Sequence, residues 1–183
     1  MGILTAIALF LQSSMQMGTT ILYGTLGGIL GERAGNLNLG VEGMMLMGAV
    51  MGFMAGVKTG SAFLAVLIAG LAGAFGALIY AIVTVTFRGN QTVTGLALTI
   101  FGTGFSSFVG KSLSGVALPS SVTQAFAAVK VPFLSDIPLL GPMLFHQSAY
   151  VIAALILAVL MYLYFQKTKV GLNHKAVGEN PSA

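Results

Sequence analysis

The chain has 183 residues, 56% hydrophobic and 7% charged, with a mean hydropathy of +0.96. Eight basic and four acidic side chains cannot wet a soluble globule of this size, which normally carries about a quarter charged residues. The net charge of +4 is scattered rather than clustered, so it argues for no nucleic acid partner and fits the loop charges of a membrane protein. Cysteine is absent, which removes disulfides, thiol nucleophiles and cysteine metal sites. The 25 glycines point to helices packed closely on one another.

Met1 to Leu11 are apolar, but no basic segment precedes them and apolar character continues past Ser14, so the start does not read as a cleavable signal. A helix needs roughly 20 apolar residues to cross the hydrocarbon layer. Five stretches approach this: Ile3 to Leu30, Val41 to Gly56, Ser61 to Phe87, Thr92 to Val109, and Ser148 to Phe165. The first is too long for one straight span and is interrupted by Gln12, Ser13, Ser14 and Gln16. No stretch alternates at period two for long, which argues against a barrel. The expected fold is all-α, a polytopic transmembrane helical bundle over residues 1–165, followed by a polar tail over residues 166–183.

Three connections are short: Gly31 to Gly40, Val57 to Gly60, and Arg88 to Gln91. The fourth, residues 110–147, holds Pro119, Pro132, Pro138 and Pro142 and cannot be one helix. If the spans alternate, Arg33, Arg88, Lys167, Lys169 and Lys175 share one side, and Lys58, Lys111 and Lys130 the other. The positive-inside rule then places the tail in the cytoplasm and the N-terminus and long loop outside. A re-entrant piece near Gln12 or Asn36 would change the side of the N-terminus.

Gly48, Gly52, Gly56 and Gly60 recur every fourth residue, and Gly24/Gly28 and Gly27/Gly31 repeat the spacing. Such a strip lets helix backbones approach; a strip on which a helix slides during gating is the alternative. No HExxH, GxSxG or Walker sequence occurs, and the histidines are His146 and His174 alone. The chain is therefore expected not to be an enzyme, and to carry no metal.

Polar residues gather in two blocks. NLNLGVEG (Asn36 to Gly43) sets Asn36, Asn38 and Glu42 among glycines, a pattern fitting a helix break that lines a polar path. It equally fits a turn with Glu42 near a helix N-terminus, where its charge suits the dipole. GNQTVTG (Gly89 to Gly95) offers Asn90, Gln91, Thr92 and Thr94 to a solute or to a helix cap, and spacing does not choose between them.

Taken together, GERAGNLNLGVEGMMLMGA (Gly31 to Ala49), GNQTVTGLAL (Gly89 to Leu98), IPLLGPMLF (Ile137 to Phe145) and VGLNHKAVGENPSA (Val170 to Ala183) resemble the permease subunits of bacterial ABC importers. The resemblance is to the branched-chain amino acid, ribose and nucleoside permease superfamily, in its simple-sugar and nucleoside branch. It covers essentially the whole chain in the family's order. It implies a multi-pass protein of the bacterial inner membrane that forms part of the path for a nucleoside or simple sugar.

The partners it implies are a cytoplasmic ABC ATPase, which holds ATP and Mg, a second permease subunit, and an extracytoplasmic solute-binding protein. No cofactor is implied on this chain. Gly171, His174, Lys175, Gly178, Glu179, Asn180 and Pro181 would begin the segment that docks on the ATPase. There His174 stands where the family more often carries Arg. Asn36, Asn38, Glu42, Asn90 and Thr94 would be polar residues of the path, and the Pro-rich loop would face the binding protein. Family members continue beyond GENPSA, so the chain is expected to be the first part of a longer permease. The competing classes are an ion-coupled secondary transporter and a membrane scaffold without transport; neither needs an ATPase-docking tail.

Overall fold

In the computed structural model, which describes residues 3–130 and 146–180, α1 runs Ile3–Arg33, α2 Val41–Thr59, α3 Ala62–Ala81, α4 Gln91–Lys111 and α5 Ser120–Ala125. Strands β1 (Ala128–Lys130) and β2 (His146–Ser148) follow, then α6 (Ala149–Lys167) and α7 (Lys169–Glu179). IPLLGPMLF, three of the loop prolines and Pro181 lie outside the described residues. The chain forms two compact units: Met1–Leu26 with Phe126–Lys175, and Gly27–Ala125 with Ala176–Ala183.

Among the described residues four helices are long and apolar enough to cross a membrane: α2, α3 with the turn that extends it to Thr86, α4 and α6. They match four of the five expected spans to within three residues at each end. The fifth, α1, differs from expectation. It is one unbroken helix of 31 residues, about 46 Å at 1.5 Å per residue, and not an interrupted one. Polar residues dilute its hydropathy without stopping it, because helical backbone bonds satisfy themselves. Ser14 and Thr19 return their hydroxyl protons to the carbonyls of Phe10 and Met15, the usual refuge of such residues inside a helix.

The outer faces of these helices are oily. Phe63, Ile100 and Phe108 are 74%, 75% and 83% exposed, an arrangement costly in water and suited to lipid or to a neighbouring subunit.

In the unit containing residues 27–125, α2 is central. On one side Gly48 and Gly52 meet α3: a methyl group at Gly48 would lie 2.9 Å from the Ala69 carbonyl oxygen. At Gly52 it would lie 2.8 Å from the Ala69 Cβ and 3.0 Å from the Ala65 oxygen. Gly56 extends the strip toward Ala65, Leu118 and Val122. Gly60 does not belong to it. With φ +65° it is the left-handed C-cap that ends α2, its N–H bonded to the Gly56 carbonyl at 2.9 Å, a task that favours glycine for its freedom at positive φ. The Gly27 and Gly28 positions face no atom within 4 Å, and Gly31 meets only the Asn36 oxygen of its own turn, so these three glycines admit no second helix among the described residues.

The connections sort by end. At one end of this unit Ser121 Oγ donates to the Gly60 carbonyl at 2.7 Å, joining the α2–α3 link to the start of the long loop. At the other, the residues after α1, the α3–α4 link and Gly178 come together, as described below.

In the unit containing residues 126–175, β1 and β2 pair antiparallel, Ala128 opposite Ser148, Val129 opposite Gln147 and Lys130 opposite His146. So short a ribbon is marginal alone. Gln12 Nε2 donates to the His146 carbonyl at 2.8 Å and Tyr23 Oη to the Tyr150 carbonyl at 2.8 Å, which ties α1 to β2 and to the first turn of α6. Except for Ser148, the ribbon sits inside the expected loop, where three-residue strands leave no periodic signal.

Gly52→Leu forces a side chain into backbone and is expected to abolish a monodisperse detergent-solubilised species, since overpacking costs about 1–3 kcal/mol or more. Gly27→Ala, facing open space, is expected to leave elution and thermal unfolding unchanged or raise the midpoint slightly. Equal behaviour of the two variants would refute the assignment of the strip.

Candidate functional site

Between α1 and α2 the chain is not helical over residues 34–40, where the helix break was expected. Free backbone groups near a membrane need partners, because lipid supplies none. The first part of the break is a turn closing on α1: Ala34 N–H and Asn36 N–H both bond the Gly31 carbonyl at 3.0 Å, and Gly35 N–H bonds that of Glu32 at 3.0 Å. Gly35 has φ +80°, which glycine adopts without strain.

The rest is held by side chains from α3 and α4. Tyr80 Oη lies 2.7 Å from the Leu37 carbonyl and 3.1 Å from Asn36 Oδ1. A hydroxyl has one proton to give, so the shorter bond to Leu37 dominates. Gln91 Oε1 accepts from Leu37 N–H at 2.8 Å, and Thr99 Oγ1 donates to the Leu39 carbonyl at 2.9 Å. Asn38 Oδ1 accepts from Gly40 N–H at 2.8 Å, an Asx turn that leads into α2. Tyr80 is 3% exposed and shares a cluster with Met44 and Leu98.

Close approach makes these bonds reachable. A methyl at Gly95 would lie 2.8 Å from Leu39 N and 3.0 Å from Gly40 N. At Gly43 it would strike the Leu98 carbonyl, and at Gly102 the Gly43 backbone. The start of α2 thus crosses α4 backbone to backbone.

Of the expected site residues, Asn36 and Asn38 belong to this break. Glu42 is exposed in the first turn of α2, where its charge suits the helix dipole. Asn90 caps α4, its Oδ1 accepting from Val93 N–H at 3.0 Å, and Thr94 Oγ1 donates to the Asn90 carbonyl at 2.8 Å. The structure therefore brings Asn36 and Asn38 together with Tyr80, Gln91 and Thr99, while Asn90 and Thr94 serve α4. Tyr80 and Thr99 were not signalled by any motif. The available hint for Tyr80 is a lone phenol near the end of an otherwise apolar span; for Gly95 and Gly102 it is their spacing of seven.

The tail residues divide between the two units. In the first, Gly171 sits against the last turn of α6, where a methyl would strike the Tyr164 carbonyl. Thr168 Oγ1 accepts from Gly171 N–H at 3.0 Å and so caps α7. His174 lies edge-on to Tyr164 and Phe165, and Lys175 Nζ is 5.8 Å from the Phe165 ring centre, a cation–π arrangement. In the second unit, Gly178 lies against Arg33 and Gly35, Glu179 is exposed, and Asn180 N–H bonds the Ala176 carbonyl at 2.9 Å. Among the described residues no group of three His, Asp or Glu side chains is placed to hold a metal.

Thr99→Val strands the Leu39 carbonyl and Asn90→Ala removes a cap; each is expected to lower stability by about 1 kcal/mol. Glu42→Gln, at an exposed position, is expected to stay within about 0.5 kcal/mol of the parent. Thermal unfolding of the purified variants checks this, and a loss at Glu42 as large as that at Thr99 would contradict the placement.

Comparison with known proteins gives the site its context. Residues 10–183 match the family model described as branched-chain amino acid transport system / permease component. The chain is 33% identical to a guanosine ABC transporter permease protein of Bacillus subtilis, over 100% of this chain and 60% of that one. It is 33% identical over 93% of its length to 52% of a Haloferax volcanii protein provisionally named as a glucose ABC transporter permease. With a nucleoside ABC transporter permease protein of Lactococcus lactis the identity is 27%, over 100% of this chain and 60% of the relative. The chain thus spans 52–60% of the length of these relatives. No solved structure matches. The chain is a multi-pass, all-α membrane protein that belongs to the permease family of ABC transport systems.

Proposed function

We propose that this chain supplies part of the translocation path of an ATP-driven importer of the bacterial inner membrane, and that the solute is a nucleoside or related simple sugar. The observation that carries the reading is α7. It is an 11-residue helix, too short to span, that directly follows the apolar α6. It leaves Leu172, Asn173, Val177 and Glu179 exposed, a mixed surface suited to docking on a soluble subunit.

The partner is a cytoplasmic ABC ATPase that binds ATP and Mg; hydrolysis occurs there. Gly171, His174, Lys175, Gly178, Glu179, Asn180 and Pro181 form the beginning of the docking segment. A second permease subunit completes the path and an extracytoplasmic binding protein delivers the solute. Asn36 and Asn38 mark the polar break beside the path. The nucleoside assignment rests on the likeness to the guanosine permease of Bacillus subtilis and the nucleoside permease of Lactococcus lactis. An ion-coupled transporter would want carboxylates buried within the spans. Among the described residues Glu42 instead lies exposed at a helix start.

Glu179→Arg reverses an exposed charge without disturbing packing. The permease carrying this sequence is expected to co-purify with its ATPase, and the variant to retain less than about a fifth of that ATPase while eluting as the parent does. Full retention with unchanged uptake of labelled guanosine would overturn the docking assignment. Competition by unlabelled nucleosides, but not by pentoses, identifies the solute class.

A further inference from the structure

We propose that Gly178 clamped on the turn Arg33–Gly35, together with the Tyr80 hydroxyl and the Gln91 amide, forms a rigid relay between the ATPase-docking segment and the polar break at residues 36–40. The proposal rests on the importer reading above and assigns Tyr80 and Gln91 as positioning residues for transport.

The first link is backbone against backbone. A methyl at Gly178 would strike the Arg33 carbonyl and come within 2.9 Å of Gly35 N. A methyl at Gly35 would lie 3.3 Å from the Gly178 carbonyl oxygen. With no side chain between them, a displacement of Gly178 is not absorbed by rotamer changes and passes to the turn. The turn is closed on α1 by the bonds of Ala34, Gly35 and Asn36, so it moves as a piece, and Asn36 begins the break.

The second link ties the break to a joint between α3 and α4. Tyr80 lies just before the joint and Gln91 just after it, and both bind Leu37, one at its carbonyl and one at its N–H. Between them the backbone leaves regular geometry. Residues Ile82–Thr86 form a π-turn, Arg88 has φ 52°, and Gly89 N–H reaches back to the Val83 carbonyl at 2.9 Å. A π-turn and a non-glycine residue at positive φ in one link are uncommon features, and π-turns recur at functional sites. Leu37 is thus held to both sides of this irregular link. Motion delivered through Gly178 reaches the angle between α3 and α4 as long as those two bonds exist. Without them the break slips.

The test uses the assembled transporter, permease with ATPase and binding protein, in lipid vesicles, and reads solute imported per ATP hydrolysed. Tyr80→Phe keeps the buried ring and loses the hydroxyl; Gln91→Leu loses the acceptor for Leu37. Each is expected to retain ATPase at the parent level and to hydrolyse ATP within about twofold of it, while solute moved per ATP falls at least about fivefold. Gly178→Ala is expected to lower the same ratio.

A purely structural role would lower uptake and hydrolysis together, because fewer transporters assemble. An unchanged ratio in Tyr80→Phe and Gln91→Leu therefore overturns the relay. If Tyr80→Phe does not assemble, Gln91→Leu decides, its side chain lying outside the Tyr80 cluster. If the unaltered permease retains its ATPase and the ratio holds in the variants, the relay alone is wrong. If the unaltered permease retains none, the importer reading fails and the relay with it.

Discussion

The arrangement of residues 27–125 depends on one requirement: backbone groups released by the break after α1 must find partners where water is scarce. Leu37 exposes an N–H and a carbonyl, Leu39 a carbonyl, and Gly40 an N–H, and each is met by a different side chain, from Gln91, Tyr80, Thr99 and Asn38. Three of the four donors or acceptors come from other helices. The break therefore fixes how α3 and α4 stand against α2, and the closeness demanded by bonds of 2.7–2.9 Å explains why glycine appears where the helices cross.

Glycine is used on two faces of α2 for two purposes. Gly48 and Gly52 admit the backbone of α3 over Ala65 and Ala69, which is ordinary close packing in an apolar layer. Gly43 admits α4 over Leu98 and Gly102, and that second approach brings Thr99 within reach of Leu39. A larger residue at Gly43 or Gly95 would separate a hydrogen bond as well as two surfaces. The two strips have similar composition and different consequences, and only the second bears on the polar site.

Much of this architecture was legible in the residues. Span positions follow from apolar runs bounded by Gly31, Gly60, Arg88 and Lys167, because chain length and hydropathy are local properties. The break at Asn36–Gly40 follows from glycine and asparagine clustered between two such runs. The roles within it were not legible. Nothing local distinguishes Tyr80 from a phenol facing lipid, since its partners lie 43 and 44 positions away. Asn90 caps α4 through a partner only three positions on, and the same residue pattern fits a cap and a solute contact equally well. Gly60 fits the four-residue period of its neighbours perfectly well and yet serves as a left-handed cap, since periodicity records a helix face but not where the helix stops. The unbroken α1 shows the converse: a polar run reads as an interruption in hydropathy, while the backbone of a helix needs nothing from its side chains to continue.

The worth of the side-chain bonds at the break depends on what surrounds them. In contact with water a typical internal hydrogen bond contributes about 1 kcal/mol, because the alternative is a bond to solvent. In a dry layer the alternative is an unpaired group at several kcal/mol. Asn36 and Asn38 are half-buried while Leu37 and Leu39 are exposed, so the same four bonds lie at a boundary between those regimes. A segment so placed is held firmly when packed against lipid or protein and loosely when water reaches it. Hydration of the break is therefore itself a term in how firmly residues 36–40 are held.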